Sequence, residues 1–187
     1  MLNAAEIIVG GTGRIYAAPQ NTPMPTHLTA ALNPAFDDLG YTTDAGAKFT
    51  DGKTTNSIRP WQSFYPVRVH VTEREAMLEF TLLQWNVETI PLAFGGGGFT
   101  MPRPGEYRYT PPAPETLAIN ALVLDITDGT RDFRIGIPRG FVTSNTESTF
   151  AKTGPALLPI TFTVLANDGG QPWTIDCDDP AWAPEAS

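Results

Sequence analysis

Apolar and polar residues alternate most clearly along Pro66–Gln84. Val67, Val69 and Val71 interleave with Arg68, His70 and Thr72, which is the period of a half-buried strand. Glu73-Arg74-Glu75 reads as a turn, after which Ala76, Leu78, Phe80 and Leu82 alternate with Met77, Glu79, Thr81 and Leu83. This pattern predicts a hairpin with one apolar face. Further along, Leu117–Thr127 sets Ala121, Val123 and Asp125 against Leu122, Leu124 and Ile126. Asp128-Gly129 is a strong hairpin dipeptide, and Arg131–Ile137 is the returning strand. Shorter strands are expected at Arg14–Ala18, Phe36–Tyr41, Glu106–Thr110, Arg139–Val142, Leu158–Leu165 and Trp173–Cys177.

One segment changes character. Asn86 suits a helix N-cap and Glu88 suits the positive first turn, while Gly95-Gly96-Gly97-Gly98 stops the helix. Pro91 is costly in a helix interior, which moves the expected start towards Thr89. Two stretches have little core of their own. Met1–Gly13 ends in Gly10-Gly11-Thr12-Gly13 and reads as an arm that orders against a neighbour. Thr42–Arg59 is rich in Thr, Gly, Asp and Lys, with Phe49 and Ile58 nearly alone as apolar residues, and reads as a long protruding loop or hairpin.

Composition narrows the class. The chain has 187 residues, a length that suits one domain. Gly 17 and Pro 18 are scattered as punctuation, which favours many short strands over a helical bundle. The expected fold is mainly β, a sandwich or barrel with one short flanking helix. A formal net charge of −8 argues against a surface built for nucleic acid phosphate. One cysteine, Cys177, excludes an internal disulfide and a Cys-based zinc cage. The longest apolar run, near Leu157–Phe162, is too short to span a bilayer, and no secretory signal pattern opens the chain. No membrane binding is expected.

No residue set points to catalysis or to a cofactor. The early glycine cluster is followed by a strand and Pro19, not by the helix that a phosphate cradle needs. His27 sits in a proline-rich loop and His70 on the polar side of a strand, with no nucleophile elbow for either. Asp176, Asp178 and Asp179 lack the spacing of a calcium loop and read as a solvated acidic face. Glu73, Glu75 and Glu79 have no sugar platform beside them. Trp61, Phe64 and Tyr65 are the best candidates for a glycan platform, although they read first as core or loop anchors. Lys152 is the last basic residue; Asp168, Asp176, Asp178, Asp179 and Glu185 follow it.

Several segments in order resemble the major tail protein of long, non-contractile-tailed phages, particularly those of actinobacteria. They are Gly11–Pro19 (GTGRIYAAP), Asp38-Leu39-Gly40-Tyr41-Thr42-Thr43, Trp61-Gln62-Ser63 with Pro66-Val67-Arg68, and Gln84-Trp85-Asn86 leading to Phe94-Gly95-Gly96-Gly97. Tyr109-Thr110-Pro111-Pro112, Ala121–Asp125, Ile137-Pro138-Arg139 and Leu158–Phe162 complete the set. The resemblance implies a single tail tube domain over 1–187, with an N-terminal arm at 1–13 and an inter-ring loop or hairpin at 40–63. The chain ends too soon for the immunoglobulin-like C-terminal domain of some family members. It implies a virion structural protein, assembled in the host cytoplasm, that forms stacked and usually hexameric rings. Its implied partners are further copies of itself, a tape-measure protein, and tail terminator or tip proteins. DNA would pass through the lumen without specific binding. Candidate subunit contacts are Ile7 and Ile8 in the arm, Arg14 at its base, and Tyr41, Phe49, Ile58 and Trp61 in the loop. The alternatives are a β-sandwich carbohydrate-binding or adhesion module of a virion, and a small hydrolase.

Overall fold

The structure, a computed structural model, describes residues 6–129, 131–143 and 147–183. Its elements are β1 (Thr12–Pro19), β2 (Asp37–Asp38), β3 (Thr42–Ile58), β4 (Arg68–Leu82), α1 (Thr89–Ala93), β5 (Gly98–Arg103), β6 (Glu106–Thr110), β7 (Asn120–Asp128), β8 (Arg131–Val142), β9 (Leu158–Val164) and β10 (Thr174–Cys177). β5 and β6 form a small separate ribbon. The other strands make one antiparallel sheet in the order β2-β1-β7-β8-β9-β4-β3, with β10 paired to β8. The mainly β fold with one short helix is the one the sequence predicts.

The sheet curls over on itself. Ile15 of β1, Leu122 and Leu124 of β7, Ile135 and Ile137 of β8, Leu158, Ile160 and Phe162 of β9, and Leu78, Phe80 and Leu82 of β4 share one core. Strands far apart in sheet order reach a common core only when the sheet folds back, which gives a sandwich-like barrel. β7 is buried on both faces. Its Ala121 and Val123 join Ala18 and Phe36 in a second cluster, roofed by Met24 and Leu32 of the β1–β2 connection. Arg134 ties that connection down: it donates to the Ala30 carbonyl at 2.8 Å and grips Asp125 through two bonds of 2.6 and 2.8 Å. The bonded Asp125 carboxylate holds the Arg134 guanidinium above its usual pKa.

β8 is the corner of the fold. Its first half pairs with β10 at Phe133–Gly136, and its end pairs with β9 at Gly140–Val142. Opposite β7, the register shifts between Leu122↔Ile137 and Asn120↔Gly140, so β8 carries an extra residue there. Pro138 falls in this bulge, where its missing N–H costs least. The sequence reading ended one strand at Ile137 and began another at Arg139; the bulge joins them into one. At Gly140 a Cβ would lie 2.3 Å from the Phe162 ring and 2.5 Å from the Thr163 carbonyl oxygen, so the corner closes only over a hydrogen.

The helix starts late, as Pro91 demands. The Asn86 side chain accepts from the N–H groups of Glu88 and Thr89 at 3.0 and 2.9 Å, and the Asn86 N–H donates to Thr89 Oγ1 at 3.0 Å. This is a reciprocal cap of the capping-box kind. Gly95, Gly96 and Gly97 all have positive φ and end the helix. Tyr109 Oη donates to the Gly96 carbonyl at 2.6 Å, and this burial pushes the phenol pKa up.

One expectation needs correction. Pro66–Gln84 is not a self-contained hairpin: Glu73, Arg74 and Glu75 lie inside β4 and pair with Thr54, Lys53 and Gly52 of β3. Of the loop or hairpin expected at 40–63, the structure has the hairpin: β3 covers most of that stretch, and the hairpin runs from Thr42 to Leu82. β5, interrupted in composition by Gly98 and Pro102, was not anticipated.

Candidate subunit interface

The β3–β4 hairpin has two halves with different surroundings. Between Ala76 and Leu82, even-numbered side chains enter the core while β9 flanks the strand at Met77–Leu82. Beyond that point Gly52–Ile58 and Arg68–Glu75 are exposed throughout. At a strand rise near 3.3 Å, those seven or eight residues carry the ribbon roughly 25 Å past the body. The register shifts between Thr54 and Thr55, where Thr72 Oγ1 donates to the Thr54 carbonyl at 3.1 Å. At its root Arg74 donates to both carboxylate oxygens of Asp51, at 3.0 and 2.5 Å. That pair lowers the Asp51 pKa and raises that of Arg74.

The exposed half is apolar where it has no reason to be if the chain is alone. Val67, Val69, Val71 and Ile58 are 65%, 55%, 56% and 49% exposed. At the tip, Trp61 and Phe64 are 100% exposed and Tyr65 80%. The tip itself is a defined turn: Val67 N–H donates to the Ile58 carbonyl, and Ser63 Oγ bridges to Tyr65. These aromatics therefore do not anchor a loop on the body, as the sequence reading first had them. Exposed apolar residues are thus gathered on this projection, with Val69 and Val71 on one face, Ile58, which pairs with Arg68, on the other, and the aromatics at the tip.

The second projection is the N-terminal segment. Ile7, Ile8 and Val9 are exposed, and residues 1–5 of the expected arm lie outside the described residues. Arg131, at the start of β8, donates to the Ile7 carbonyl at 3.0 Å, and Val9 N–H donates to Asp128 Oδ2 at 3.0 Å. The same guanidinium pairs with Asp128 at 2.6 Å and with Asp179 at 2.7 Å. Asp179 also caps the 3-10 turn Pro180–Trp182 through Ala181 N–H; that bond first, then Arg131, holds its carboxyl below the usual range. Asp178 accepts from Asp132 N–H at 2.9 Å. Two acids of the C-terminal cluster thus fasten residues 178–182 to the β7–β8 turn.

The other expected contact residues fall in different places. Tyr41 is exposed, while its N–H donates to Gln84 Oε1. Arg14 is exposed and pairs with Asp38 at 3.5 Å. It begins a row across four strands, Arg14–Asp125–Arg134–Asp176, in which charges alternate in sign. Phe49 turns inward, edge-on to Trp173 at 4.9 Å and against the main core. Sequence reasoning missed the valine row and the Asp128–Arg131 clasp. The alternation of the row predicts a core face, and the clasp joins residues far apart in the chain.

A cleft of about 630 Å³ lies between the charged row and Leu28-Thr29. All three guanidinium nitrogens of its Arg134 are committed to Asp125 and Ala30. His27 bonds Thr29, and His70 lies on the exposed ribbon. Among the described residues no group of three His, Cys, Asp or Glu side chains is placed to hold a metal ion, and no helix is long and apolar enough to cross a membrane.

The barrel thus leaves two apolar stretches uncovered, Ile7–Val9 and the outer β3–β4 ribbon. The family model of phage tail tube proteins matches residues 1–185, and the chain belongs to the phage tail tube protein family, a family of virion components. No curated protein matches it. Among solved structures it is similar to a chain of "Virion of native gene transfer agent (GTA) particle", with 9% identity over 96% of this chain and 100% of that one, at a TM-score of 0.41.

Proposed function

We propose that copies of this chain form rings, hexameric in the simplest case, that stack into a tube, with the β3–β4 ribbon of one ring seated on the next. The observation that carries this is the change of exposure within one strand, from buried Ala76–Leu82 to wholly exposed Arg68–Glu75. A ribbon bearing Val67, Val69, Val71, Trp61 and Phe64 in water gains free energy only when another surface covers it. The same reading makes the bore a passage for DNA, around a tape-measure protein during assembly and closed by terminator or tip proteins. The net charge of −8 supports a wall that does not hold phosphate.

The test is sedimentation velocity with negative-stain microscopy on concentrated protein. Wild type is expected to give rings or tubes, and Val69→Asp with Val71→Asp only folded monomers. Monomers alone for wild type, across salt and concentration, would sink the proposal. Trp61, Phe64 and Tyr65, outward at the tip, also support a second reading as a glycan-binding platform. Glycan binding by the monomeric variant, lost on Trp61→Ala, would favour that reading.

A further inference from the structure

The apolar side chains of β4 change parity along the strand: Ala76, Leu78, Phe80 and Leu82 are even-numbered, Val69 and Val71 odd. In an unbroken strand the two sets would lie on opposite sides of the ladder. Here they share one side, because the ladder is interrupted once. Thr54 pairs with Glu73 and its neighbour Thr55 with Val71, so Thr72 is the extra residue of a β-bulge. Thr54 and Thr55 face opposite sides, and so therefore do Glu73 and Val71. The bulge brings Val71 and Val69 to the side of Ala76 and Leu78, with the Arg74–Asp51 pair between them, and leaves Glu73, Glu75 and Glu79 on the other. Thr72 Oγ1 donates to the Thr54 carbonyl at 3.1 Å, which holds the insertion in place. The parity change that reads as a turn in the sequence is this bulge.

We propose that the bulge at Thr72 selects the side of the ribbon that a second copy of this chain covers, and that this is the side of the barrel's own core. The side chains offered there are Val69, Val71, Thr55 and Ser57, continuous in the ladder with Ala76 and Leu78. The docked copy thus extends the core along β4 and leaves the side of the three glutamates bare. Without the bulge the valines would share a side with Glu73, Glu75 and Glu79, and covering them would bury carboxylates as well. Charge favours a second copy as the occupant. Gly52–Thr72 contains Lys53, Arg59 and Arg68 and no acid, whereas the chain as a whole carries −8. Opposite potentials of this kind draw the ribbon to another copy's body. This rests on the tube reading above and adds to it which side of the ribbon is used.

Two variants remove the bulge in opposite ways. A threonine inserted between Thr54 and Thr55 gives Thr72 a partner and turns Val69 and Val71 to the glutamate side. Deletion of Thr72 removes the extra residue and leaves the valines where they are. Both are expected to melt as folded monomers, since the bulge lies in the exposed half of the hairpin. In sedimentation, the insertion should raise the critical concentration for assembly at least about a hundredfold, the effect of leaving two valine side chains in water. The deletion should assemble like wild type. Thr55→Glu and Asn56→Glu repeat the test at full length, on neighbouring exposed residues that face opposite sides. Thr55→Glu should block assembly, and Asn56→Glu should leave it near wild type. If the insertion assembles like wild type, if both length variants fail, or if the two substitutions act alike or in reverse order, the bulge does not set the side and the tube reading stands. If wild type stays monomeric at every concentration, the tube reading fails and this one fails with it.

Discussion

Two hairpins of this molecule are built from the same alternating pattern and meet opposite fates. In β7–β8, Leu122 and Leu124 enter one core, Ala121 and Val123 another, and Asp128-Gly129 closes the turn against the body. In the outer half of β3–β4, Val67, Val69 and Val71 alternate as regularly and touch no core. The difference is not in the strands but in what stands beside them. β7 has neighbours on both edges and layers on both faces, whereas Arg68–Thr72 of β4 have β3 on one edge and, among the described residues, no layer that buries either face. A period of two reports that one face differs from the other. It does not report who supplies the cover.

The contrast can be attacked directly. Val123→Asp places an unpaired charge in a site that is 0% exposed, and should cost about 3–5 kcal/mol or prevent folding. Val71→Asp, the same change in the ribbon, should shift monomer stability by less than about 0.5 kcal/mol. Urea titrations of the two variants below the assembly concentration compare them, and equal costs would mean that the ribbon has a cover within its own protomer. Next in size, Leu122→Ala should lose about 2–5 kcal/mol, against little for Val69→Ala in the monomer.

The smallest effect is that of acid. Asp179 at the clasp and Asp51 at the ribbon root both have carboxyls held below their ordinary value of 3.8. A depressed folded pKa contributes stability that is complete above 3.8 and is lost as pH falls through the lower, folded value. Melting temperature at pH 3 should therefore fall relative to pH 5, and Asp179→Asn should flatten part of that fall. An unchanged pH dependence in the variant would remove the clasp from the account.

Much of the body was legible because its signals are local. The Leu122–Leu124 and Ala76–Leu82 alternations, the Asp128-Gly129 turn, the Asn86 cap and the glycine stop all act within a few residues. The ribbon was half legible. Thr42–Arg59 stood out as poor in core residues, yet its strand character was hidden, since an exposed edge strand needs no apolar face. Glu73-Arg74-Glu75 looked like a turn because three charges in a row rarely sit in a covered strand; here they have only one neighbour, β3. Ile7, Ile8, Tyr41, Ile58 and Trp61 are exposed, as residues without a core of their own should be, whereas Phe49 is drawn inward by Trp173 from more than a hundred positions away. Contacts of that separation, such as Arg131 with Ile7, leave no trace in local pattern.

The continuity of β4 has a mechanical consequence. A pull on the ribbon tip runs along the strand axis, parallel to the ladder that joins Met77–Leu82 to Leu158–Thr163. Force in that direction strains all of those rungs at once in shear, whereas a strand peeled sideways would unzip them singly. A protrusion hinged through a flexible connection would pass no such load. Here tension on the outermost aromatic residues is delivered straight into the barrel wall.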